Sequence, residues 1–388
     1  MKGLDARSAS SIVAALVALG IAAAAQPIAS QETSDAPRGA VRVCAGGDVT
    51  LGTNLDTAWA RVARSRSTRR PRALEEPASL LDPLRLLVAD ADVVLLNLEG
   101  AIGEGTAPEK CGPRSTACYA MRQPISAARA LRGLTSAPVI VNVANNHSED
   151  AGLDGYAATL RHLADAEVLV TGADTIATLV RTARGDTVAI LGFSTSNGPD
   201  PRDLSGVRRH VSRAAAITPR VIVTMHMGAE GRSAQRARDT TELFLGYDRG
   251  NVVAFARAAA ESGARLVFGH GPHVMRAAEW RGDALIFYSL GNLLTYGPFS
   301  ITEPMNRGAL ACATLSRSGE VLDARLRPTV QRAAGIVRPD LSNRAAVLVD
   351  SLSRLDFPQS RASLAVESTV SRPAATAPAS RPARRSGS

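Results

Sequence analysis

The chain has 388 residues, of which 45% are hydrophobic and 21% are charged. This length allows one large α/β domain or two smaller ones, and the composition excludes a wholly disordered chain. Aromatic residues make up only 4%, which argues against a nucleic-acid partner bound by base stacking. The formal net charge is +9, so anionic partners are favoured.

The N-terminus has the features of a secretory signal. Lys2 and Arg7 precede an apolar stretch at residues 12–25 that ends in Ala23-Ala24-Ala25. This stretch is shorter than the roughly 20 residues that a membrane-spanning helix needs. We therefore predict a signal peptide over residues 1–25, a linker over 26–39 and export to the periplasm or the extracellular space. An uncleaved signal, which would anchor the protein to the membrane, is the alternative.

Export changes what the four cysteines indicate, because disulfides persist in oxidising compartments. Cys111 and Cys118 flank a short segment of loop-like composition, and we predict a bridge between them. Cys44 and Cys312 each lie in an apolar, strand-like run. These two cysteines are bonded if their strands are neighbours, and are buried thiols otherwise.

Between the two ends of the chain, short apolar runs alternate with helix-like segments. Continuous apolar runs rich in β-branched residues predict strands that are covered on both faces. The predicted strands are Val41–Cys44, Val93–Leu96, Val139–Val143, Val168–Val170, Val188–Leu191, Val221–Thr224, Leu266–Phe268 and Leu285–Tyr288. Helical patterns occur at Ala78–Ala89, Gly155–Ala164 and Asn251–Ser262. This alternation predicts a layered α/β fold with central β-sheets flanked by helices.

The C-terminal part of the chain has three predicted segments. Residues 309–315 and 321–325 are strand-like and are separated by Ser318-Gly319, which predicts a β-hairpin. We place the folded domain at residues 40–335 and a C-terminal helical segment at 336–358. From Gln359 the chain is rich in Ser, Ala, Pro and Arg, so we expect residues 359–388 to be disordered.

Polar residues cluster directly after five of the predicted strands. The carboxyl ends of parallel strands meet at one edge of an α/β sheet, where ligands bind. The five endings are Gly46-Gly47-Asp48, Asn97-Leu98-Glu99-Gly100, Asn145-Asn146-His147-Ser148-Glu149-Asp150, His226-Met227-Gly228-Ala229-Glu230 and Gly269-His270-Gly271-Pro272-His273. Each ending alone is explained by a turn or a helix cap. Together, their carboxylates, asparagine and histidines predict a site for divalent zinc, manganese or iron.

These motifs, followed by Tyr288-Ser-Leu-Gly-Asn292, resemble the CapA family of capsule or poly-γ-glutamate synthesis proteins, whose fold is similar to calcineurin-like metallophosphoesterases. The resemblance covers about residues 40–330. It implies a role in making an anionic polymer of the cell envelope, with metal-dependent hydrolysis of a phosphoester as the expected reaction. The alternatives are a non-hydrolytic binding or assembly factor for such a polymer, and an amide hydrolase that uses the same metal site.

The resemblance also implies roles for individual residues. One or two divalent metal ions (Mn, Zn or Fe) would be held by Asp48, Glu99, Asn146, His226, His270 and His273. The implied catalytic residues are His147, which would protonate the leaving oxygen, Asp150, and Glu230, which would orient a ligand histidine. Arg276 and Asn292 are assigned to binding the anionic substrate.

Two departures from the metallophosphoesterase pattern affect the first metal position. Thr50 stands where the superfamily commonly has a histidine, and the last motif is His270-Gly-Pro-His273 where His-x-His is usual. We therefore expect the Asp48–His273 side to bind its ion more weakly.

The implied partners are an anionic phosphoester or polyglutamate and membrane-associated polymer-synthesis machinery. Nucleic acid is excluded as a partner because no basic stripe with interleaved aromatic residues is present.

Overall fold

The computed structural model describes residues 39–54, 77–105, 119–296, 299–333, 335–364 and 368–372. The predicted signal peptide, nearly all of the predicted linker and the predicted Cys111–Cys118 bridge lie outside these residues. Within the described ranges, no helix combines the length and the apolar character needed to span a membrane.

Strands and helices alternate through most of the chain. The strands are β1 (Val41–Thr50), β2 (Thr53–Asn54), β3 (Val93–Leu98), β4 (Ala101–Ile102), β5 (Met121–Gln123), β6 (Val139–Asn142), β7 (Leu169–Thr171), β8 (Thr178–Arg181), β9 (Thr187–Ser194), β10 (Val221–His226), β11 (Leu243–Phe244), β12 (Tyr247–Asp248), β13 (Ala264–His270), β14 (Ala278–Arg281), β15 (Ala284–Phe287), β16 (Asn292–Thr295), β17 (Arg307–Leu315), β18 (Val321–Ala333), β19 (Ile336–Pro339), β20 (Ser363–Leu364) and β21 (Val370–Ser371). The helices are α1 (Pro77–Arg85), α2 (Ser126–Arg132), α3 (Gly152–Asp165), α4 (Leu204–Ile217), α5 (Val252–Glu261) and α6 (Arg344–Asp356). Each strand and helix predicted from the sequence overlaps one of these elements.

Two large sheets form the centre of the fold. The first has the strand order β19-β18-β17-β1-β3-β6-β7, with β16 also paired to β1, and the second has the order β14-β15-β13-β10-β9-β8. In the first sheet β1, β3, β6 and β7 are parallel. In the second sheet β9, β10, β13 and β15 are parallel. Each sheet therefore has one edge at which the carboxyl ends of several strands lie together.

Side chains alternate between two hydrophobic cores along the parallel strands. In β3, Val93 and Leu95 join a core shared by both sheets, whereas Val94 and Leu96 pack in a core with α1, α2 and α3. The second sheet forms a third core with α4 and α5. The layers are therefore helix, sheet, sheet and helix, which confirms the predicted fold class and explains why the strand runs are apolar on both faces.

The predicted C-terminal hairpin is confirmed, because β17 and β18 are antiparallel neighbours. Strand β17 also pairs with β1, and this pairing places Cys44 directly opposite Cys312. The two cysteines form a disulfide. Of the two alternatives for these residues, the bonded one is therefore correct.

Residues beyond 335 differ from the expectation in two ways. The segment expected to be helical begins with β19 before α6 starts, and residues 359–364 and 368–372, which were expected to be disordered, include β20 and β21. Backbone hydrogen bonds hold this part of the chain: Trp280 N donates to Ser360 O (2.7 Å) and Leu326 N donates to Ser368 O (2.9 Å). Composition did not reveal this order because backbone pairing needs no apolar periodicity.

Candidate metal centre

The strand ends bring the predicted ligands together. Asp48 lies in β1, Glu99 directly follows β3, and His226 and His270 end β10 and β13. All four side chains are buried. His226 and His270 are register partners on neighbouring strands, although a helix and a long loop separate them along the chain.

Glycine allows the backbone to pack closely beside Asp48. At Gly47, an added Cβ would lie 1.9 Å from the carbonyl oxygen of Gly291. At this point β1 stops pairing with β17 and pairs with β16 instead, so that Asp48 is in register with Asn292. A side chain at position 47 would therefore push apart the two segments that set the position of Asp48.

Glu99 lies at the centre of a ring of histidines. Its Oε1 is 3.5 Å from Nε2 of His273 and 3.9 Å from Nε2 of both His147 and His226. One ligand atom each from Asp48, Glu99 and His273 lie within 4.8 Å of one another. These separations are suited to side chains that share a metal ion.

Asp48 contacts His273 as well, and it also lies near the fourth histidine of the cluster, His270. Its Oδ2 accepts a hydrogen bond of 3.0 Å from Nδ1 of His273, and its Oδ1 lies 3.7 Å from Nδ1 of His270. The backbone of His273 has a φ of 58°, in the left-handed region that is unfavourable for a non-glycine residue. Strain of this kind is characteristic of functional sites, where the surrounding structure enforces it.

Several polar atoms of the cluster are buried without a hydrogen bond. Both carboxylate oxygens of Glu99, Nε2 of His226 and both ring nitrogens of His270 have no hydrogen-bond partner within the described ranges. Burying polar atoms in this way costs about 1–3 kcal/mol for each group. A cation at this position would be a partner for the Glu99 carboxylate and for the unprotonated ring nitrogens of His226 and His270. Carboxylate and imidazole groups are ordinary ligands of divalent transition metals. The residues present therefore fit a metal ion.

The pKa values of the Asp48 and Glu99 carboxyl groups are shifted in opposite directions. Burial alone would raise the pKa of Asp48, but the hydrogen bond with His273 and the charge of that ring lower it well below its usual value. Burial raises the pKa of Glu99 to about 7, and the negative charges of Asp48 and Glu230 add to this effect. The charges of His273 and His147 oppose it. Excess negative charge of this kind favours a bound cation.

The histidines also differ in their protonation. Burial lowers the pKa of His270 to about 4, against the opposing influence of Asp48. The pKa of His226 is lowered well below its usual value by burial and by the charge of Arg249. Both rings are therefore neutral at pH 7, which is the state in which imidazole binds a metal. For His273, burial lowers the pKa, but the charge of Glu99 and the hydrogen bond with Asp48 outweigh it and raise the pKa to about 10.

Sequence analysis assigned no role to Asn97, which connects Asp48 to His226. Its buried amide nitrogen donates to Oδ1 of Asp48 (2.8 Å) and lies 3.2 Å from Nδ1 of His226. Its own oxygen accepts a hydrogen bond from Asn142 (2.9 Å). The signal was present in the sequence, because residues two apart in a strand lie on the same face and Glu99 is two residues later.

His147 forms a hydrogen-bonded pair with Asp150. Nδ1 of His147 donates to Oδ2 of Asp150 at 2.6 Å, and the same oxygen accepts a hydrogen bond from the backbone of Met121 at 2.7 Å. These contacts fix the ring and leave Nε2, the nitrogen nearest Glu99, available for proton transfer. Asn146 is half-buried and, like His147, lines the adjoining cavity.

The cluster adjoins a cavity of about 730 Å³. Part of the lining is polar and includes Asn146, His147, Glu230, Arg249 and His273, and another part is aromatic or apolar and includes Tyr119, Phe244, Leu245, Tyr247 and Phe299. Arg249, which sequence analysis also missed, is buried, and its guanidinium lies 3.0 Å from Glu230. The cavity wall therefore carries a cation beside the candidate metal ligands.

Glu230 lies in an irregular loop, with a carboxylate oxygen 3.7 Å from Nε2 of His273. The surroundings of Asn292 correct its assignment to substrate binding. Asn292 accepts a 3.0 Å hydrogen bond from Nδ1 of His273 and donates to the backbone of Met305. It is fully buried and so supports His273 instead of facing a substrate.

Arg276 also differs from its predicted role in substrate binding. Its guanidinium is buried and makes two hydrogen bonds, of 2.8 and 2.7 Å, to the carboxylate of Glu242. It also donates to the backbone oxygens of Ala234 and Ala229. These contacts use the donors of Arg276 to hold the segment that follows β10. Within the described residues, Arg249 is the buried arginine that lines the cavity.

The fold and site define a helix–sheet–sheet–helix protein with a buried carboxylate and histidine cluster at the carboxyl ends of its strands. The sequence model of the bacterial capsule synthesis protein family PGA_cap matches residues 42–296. The chain belongs to this family, which confirms the resemblance found in its motifs.

Two curated proteins are similar to this chain over part of their length. The PGA biosynthesis protein CapA of Bacillus subtilis (strain 168) is 28% identical over 172 residues, which are 40% of this chain and 42% of that protein. The capsule biosynthesis protein CapA of Bacillus anthracis is 26% identical over 175 residues, which are 40% of this chain and 39% of that protein. The match therefore spans less than half of each protein.

Among solved structures, the chain is similar to a 5'-nucleotidase precursor from Thermus thermophilus, with a TM-score of 0.40 and 13% identity over 81% of this chain and 59% of that chain. It is also similar to the NAD nucleotidase NadN of Haemophilus influenzae, with a TM-score of 0.36 and 12% identity over 81% of this chain and 56% of that chain.

Proposed function

We propose that this protein is a divalent-metal-dependent phosphoesterase that acts in the synthesis of a capsule or poly-γ-glutamate polymer. The observation that carries the proposal is the set of buried, unpaired ligand atoms on Glu99, His226 and His270. Glu99 lies 3.9 Å from His147 and His270 lies 3.7 Å from Asp48, and the cluster adjoins a cavity large enough for a small substrate. Membership of the capsule synthesis family supports the polymer role.

The candidate metal ligands are Asp48, Glu99, Asn146, His226, His270 and His273. A divalent ion held by these residues would supply Lewis acidity for the attack of water on phosphorus. Manganese, zinc and iron all suit this mixture of oxygen and nitrogen ligands. The neutral rings of His226 and His270 need no deprotonation before they bind the ion at neutral pH, whereas the ring of His273 has to release a proton.

His147 is the proposed general acid. Asp150 accepts the Nδ1 hydrogen of His147 and stabilises the protonated ring, so Nε2 can deliver its proton to the leaving oxygen. Arg249 is the proposed contact for the anionic oxygens of the substrate, and its ion pair with Glu230 holds it in the cavity wall. Arg249 thus takes the role that the sequence assigned to Arg276.

We also propose that the protein is exported and works with the membrane-associated machinery that makes the polymer. The Cys44–Cys312 disulfide supports an oxidising compartment, and the apolar N-terminal stretch supports secretion. N-terminal sequencing of the protein from the envelope fraction should give a start near Gln26. A protein that keeps Met1 and remains in the cytosol would contradict the proposal of export.

The activity is tested with the purified full chain. Metal content is measured by mass spectrometry, and hydrolysis is measured with p-nitrophenyl phosphate and bis(p-nitrophenyl) phosphate. We expect one or two bound ions per chain, and hydrolysis that is lost with a chelator and restored by Mn²⁺, Zn²⁺ or Fe²⁺. A chain that binds no metal, or a metal-loaded chain that hydrolyses neither ester, would contradict the proposed activity.

A further inference from the structure

The hairpin formed by β11 and β12 presents large apolar side chains to solvent beside the candidate metal centre. Leu243, Leu245 and Tyr247 are 64%, 80% and 74% exposed. Leu245 and Tyr247 nevertheless line the same cavity as His147, together with Phe244. Side chains that are both exposed and cavity-lining lie at the rim, where they meet a molecule entering the cavity.

The turn of this hairpin is unusual for its sequence. Leu245 and Gly246 connect the two strands, and both have a positive φ, of 50° and 83°. Two-residue turns of this type normally begin with asparagine, aspartate or glycine, because other side chains are strained in the left-handed region. A leucine here is unfavourable for the backbone and is also exposed. Neither folding nor solubility explains a leucine at position 245. Residues held in such an unfavourable backbone conformation are often found at functional sites.

The hairpin is held in place at its base. Backbone hydrogen bonds of 2.9 Å join Glu242 to Arg249 and to Gly250. The carboxylate of Glu242 is held by the buried guanidinium of Arg276, and it also accepts a hydrogen bond from the backbone of Ala229 (2.7 Å). The apolar rim is therefore part of a braced segment whose next residue along the chain, Arg249, lines the polar wall.

Aromatic side chains continue the apolar surface towards the metal ligands. The ring of Phe299 lies 5.7 Å from the ring of His273 and 6.3 Å from the ring of Tyr119, measured between centroids. Both Phe299 and Tyr119 line the cavity. The cavity therefore has apolar side chains both at its rim and beside a histidine of the metal cluster.

We infer that the substrate is amphiphilic, with an anionic phosphoester group at the metal centre and an apolar substituent against Phe244, Leu245, Tyr247 and Phe299. The identity of the anionic group rests on the proposed function, and the apolar substituent rests on the hairpin. Charge complementarity assigns the anionic group to the wall that carries Arg249. A cavity of about 730 Å³ accommodates both parts, because ligand cavities for small molecules range from about 300 to 1,000 Å³.

The inference is tested with two inert anions that differ only in their apolar substituent, phenylphosphonate and methylphosphonate. Their binding to the Mn²⁺-loaded full chain is measured by isothermal titration calorimetry. We expect phenylphosphonate to bind about tenfold more tightly than methylphosphonate, because an apolar group in a complementary pocket increases affinity by about this factor. The double variant Leu245→Asn/Tyr247→Thr should abolish this preference and leave the affinity for methylphosphonate unchanged within about twofold.

The variants are chosen to keep the hairpin folded. Asparagine is favoured at the turn position of Leu245, and threonine is favoured in strands such as β12. Leu341, which is 96% exposed and is not part of the cavity lining, gives the matched control variant Leu341→Asn. This control should retain the preference for phenylphosphonate.

Each outcome has a distinct meaning. Equal affinities in the wild-type protein, no binding of either anion, or a preference that survives the double substitution would overturn the inference. Selective binding without any ester hydrolysis would overturn the proposed activity but support the inference. If the double variant instead loses binding to phosphatidylglycerol vesicles while phosphonate binding is unchanged, the hairpin contacts a lipid surface and the inference is wrong.

Discussion

His226 and His270 stand side by side at the ends of two neighbouring parallel strands, as register partners in β10 and β13. Both rings are buried, and burial keeps the pKa of each well below 7. Nε2 of His226 and both ring nitrogens of His270 have no hydrogen-bond partner in the described part of the chain. Two neutral histidines with unused lone pairs, fixed by the sheet itself, form a rigid half of a metal site.

Removal of either histidine should weaken metal binding. We expect His226→Ala and His270→Ala each to lower metal affinity by at least about tenfold, because each substitution removes a direct ligand. Metal content after dialysis against a defined metal buffer measures the effect. The control is His162→Ala, because His162 contacts Glu104 rather than the cluster. Full metal content in both site variants would mean that the cluster is not the metal site.

His147 should affect turnover more than metal binding. We expect His147→Ala to keep its metal and to lower kcat by about 10²–10⁴, the usual contribution of a general acid. The loss should be larger for an alkyl phosphoester than for a p-nitrophenyl ester, because p-nitrophenolate leaves without a proton. Asp150→Asn should show the same pattern more weakly, since it removes the charge that stabilises the protonated ring. An equal loss for both ester types would contradict proton donation by His147.

Two bound ions should leave the protein at different concentrations of chelator. Thr50 stands where the metallophosphoesterase resemblance implies a histidine, so an ion on the Asp48–His273 side would have one ligand fewer. Titration with a weak chelator, followed by metal analysis, should show one ion lost before the other. The variant His273→Ala should remove the weakly held ion selectively. Simultaneous loss of both ions from the wild-type protein would show that the two positions have equal affinity.

The position of the site could be predicted from sequence because it depends on strand ends. Apolar runs identified the parallel strands, and the polar residues that follow such strands meet at one edge. The contacts of Arg276 and Arg249 could not be predicted in this way. Both depend on how residues 227–250 fold back over the strand ends, and this segment is mostly irregular and lacks any clear periodicity. Tertiary packing around Glu242 therefore determines that Arg249, rather than Arg276, lines the cavity.

Asp90 should stabilise the fold at neutral pH and lose this effect in acid. Burial raises its pKa, but the hydrogen bond and charge of Arg327 and the charge of Arg42 outweigh burial and lower the pKa from 3.8. Since the folded-state pKa is lowered, the stabilisation is complete above 3.8 and is lost as the pH falls through the lower folded value.

The variant Asp90→Asn tests this pH dependence. Because Asp90 is about half exposed, we expect a loss of only about 0.5–1 kcal/mol near pH 6, disappearing once the pH is below the lowered folded-state pKa. Urea unfolding at each pH measures the difference. About 1 M NaCl should reduce it, since salt screens exposed ion pairs. A difference that stays constant as the pH falls from about 6 to well below the ordinary pKa of 3.8 would show that packing, rather than charge, explains the effect.

The Cys44–Cys312 disulfide should contribute strongly to stability, because it joins residues 268 positions apart and restricts the unfolded chain. We expect Cys44→Ala/Cys312→Ala to lower the free energy of unfolding by about 2–5 kcal/mol, measured by urea unfolding without reductant. Reductant should bring the wild-type protein close to the variant. Any further fall of the variant on reduction would report the predicted Cys111–Cys118 bridge. Equal stability of the oxidised wild-type protein and the variant would show that strand pairing between β1 and β17 suffices without the bond.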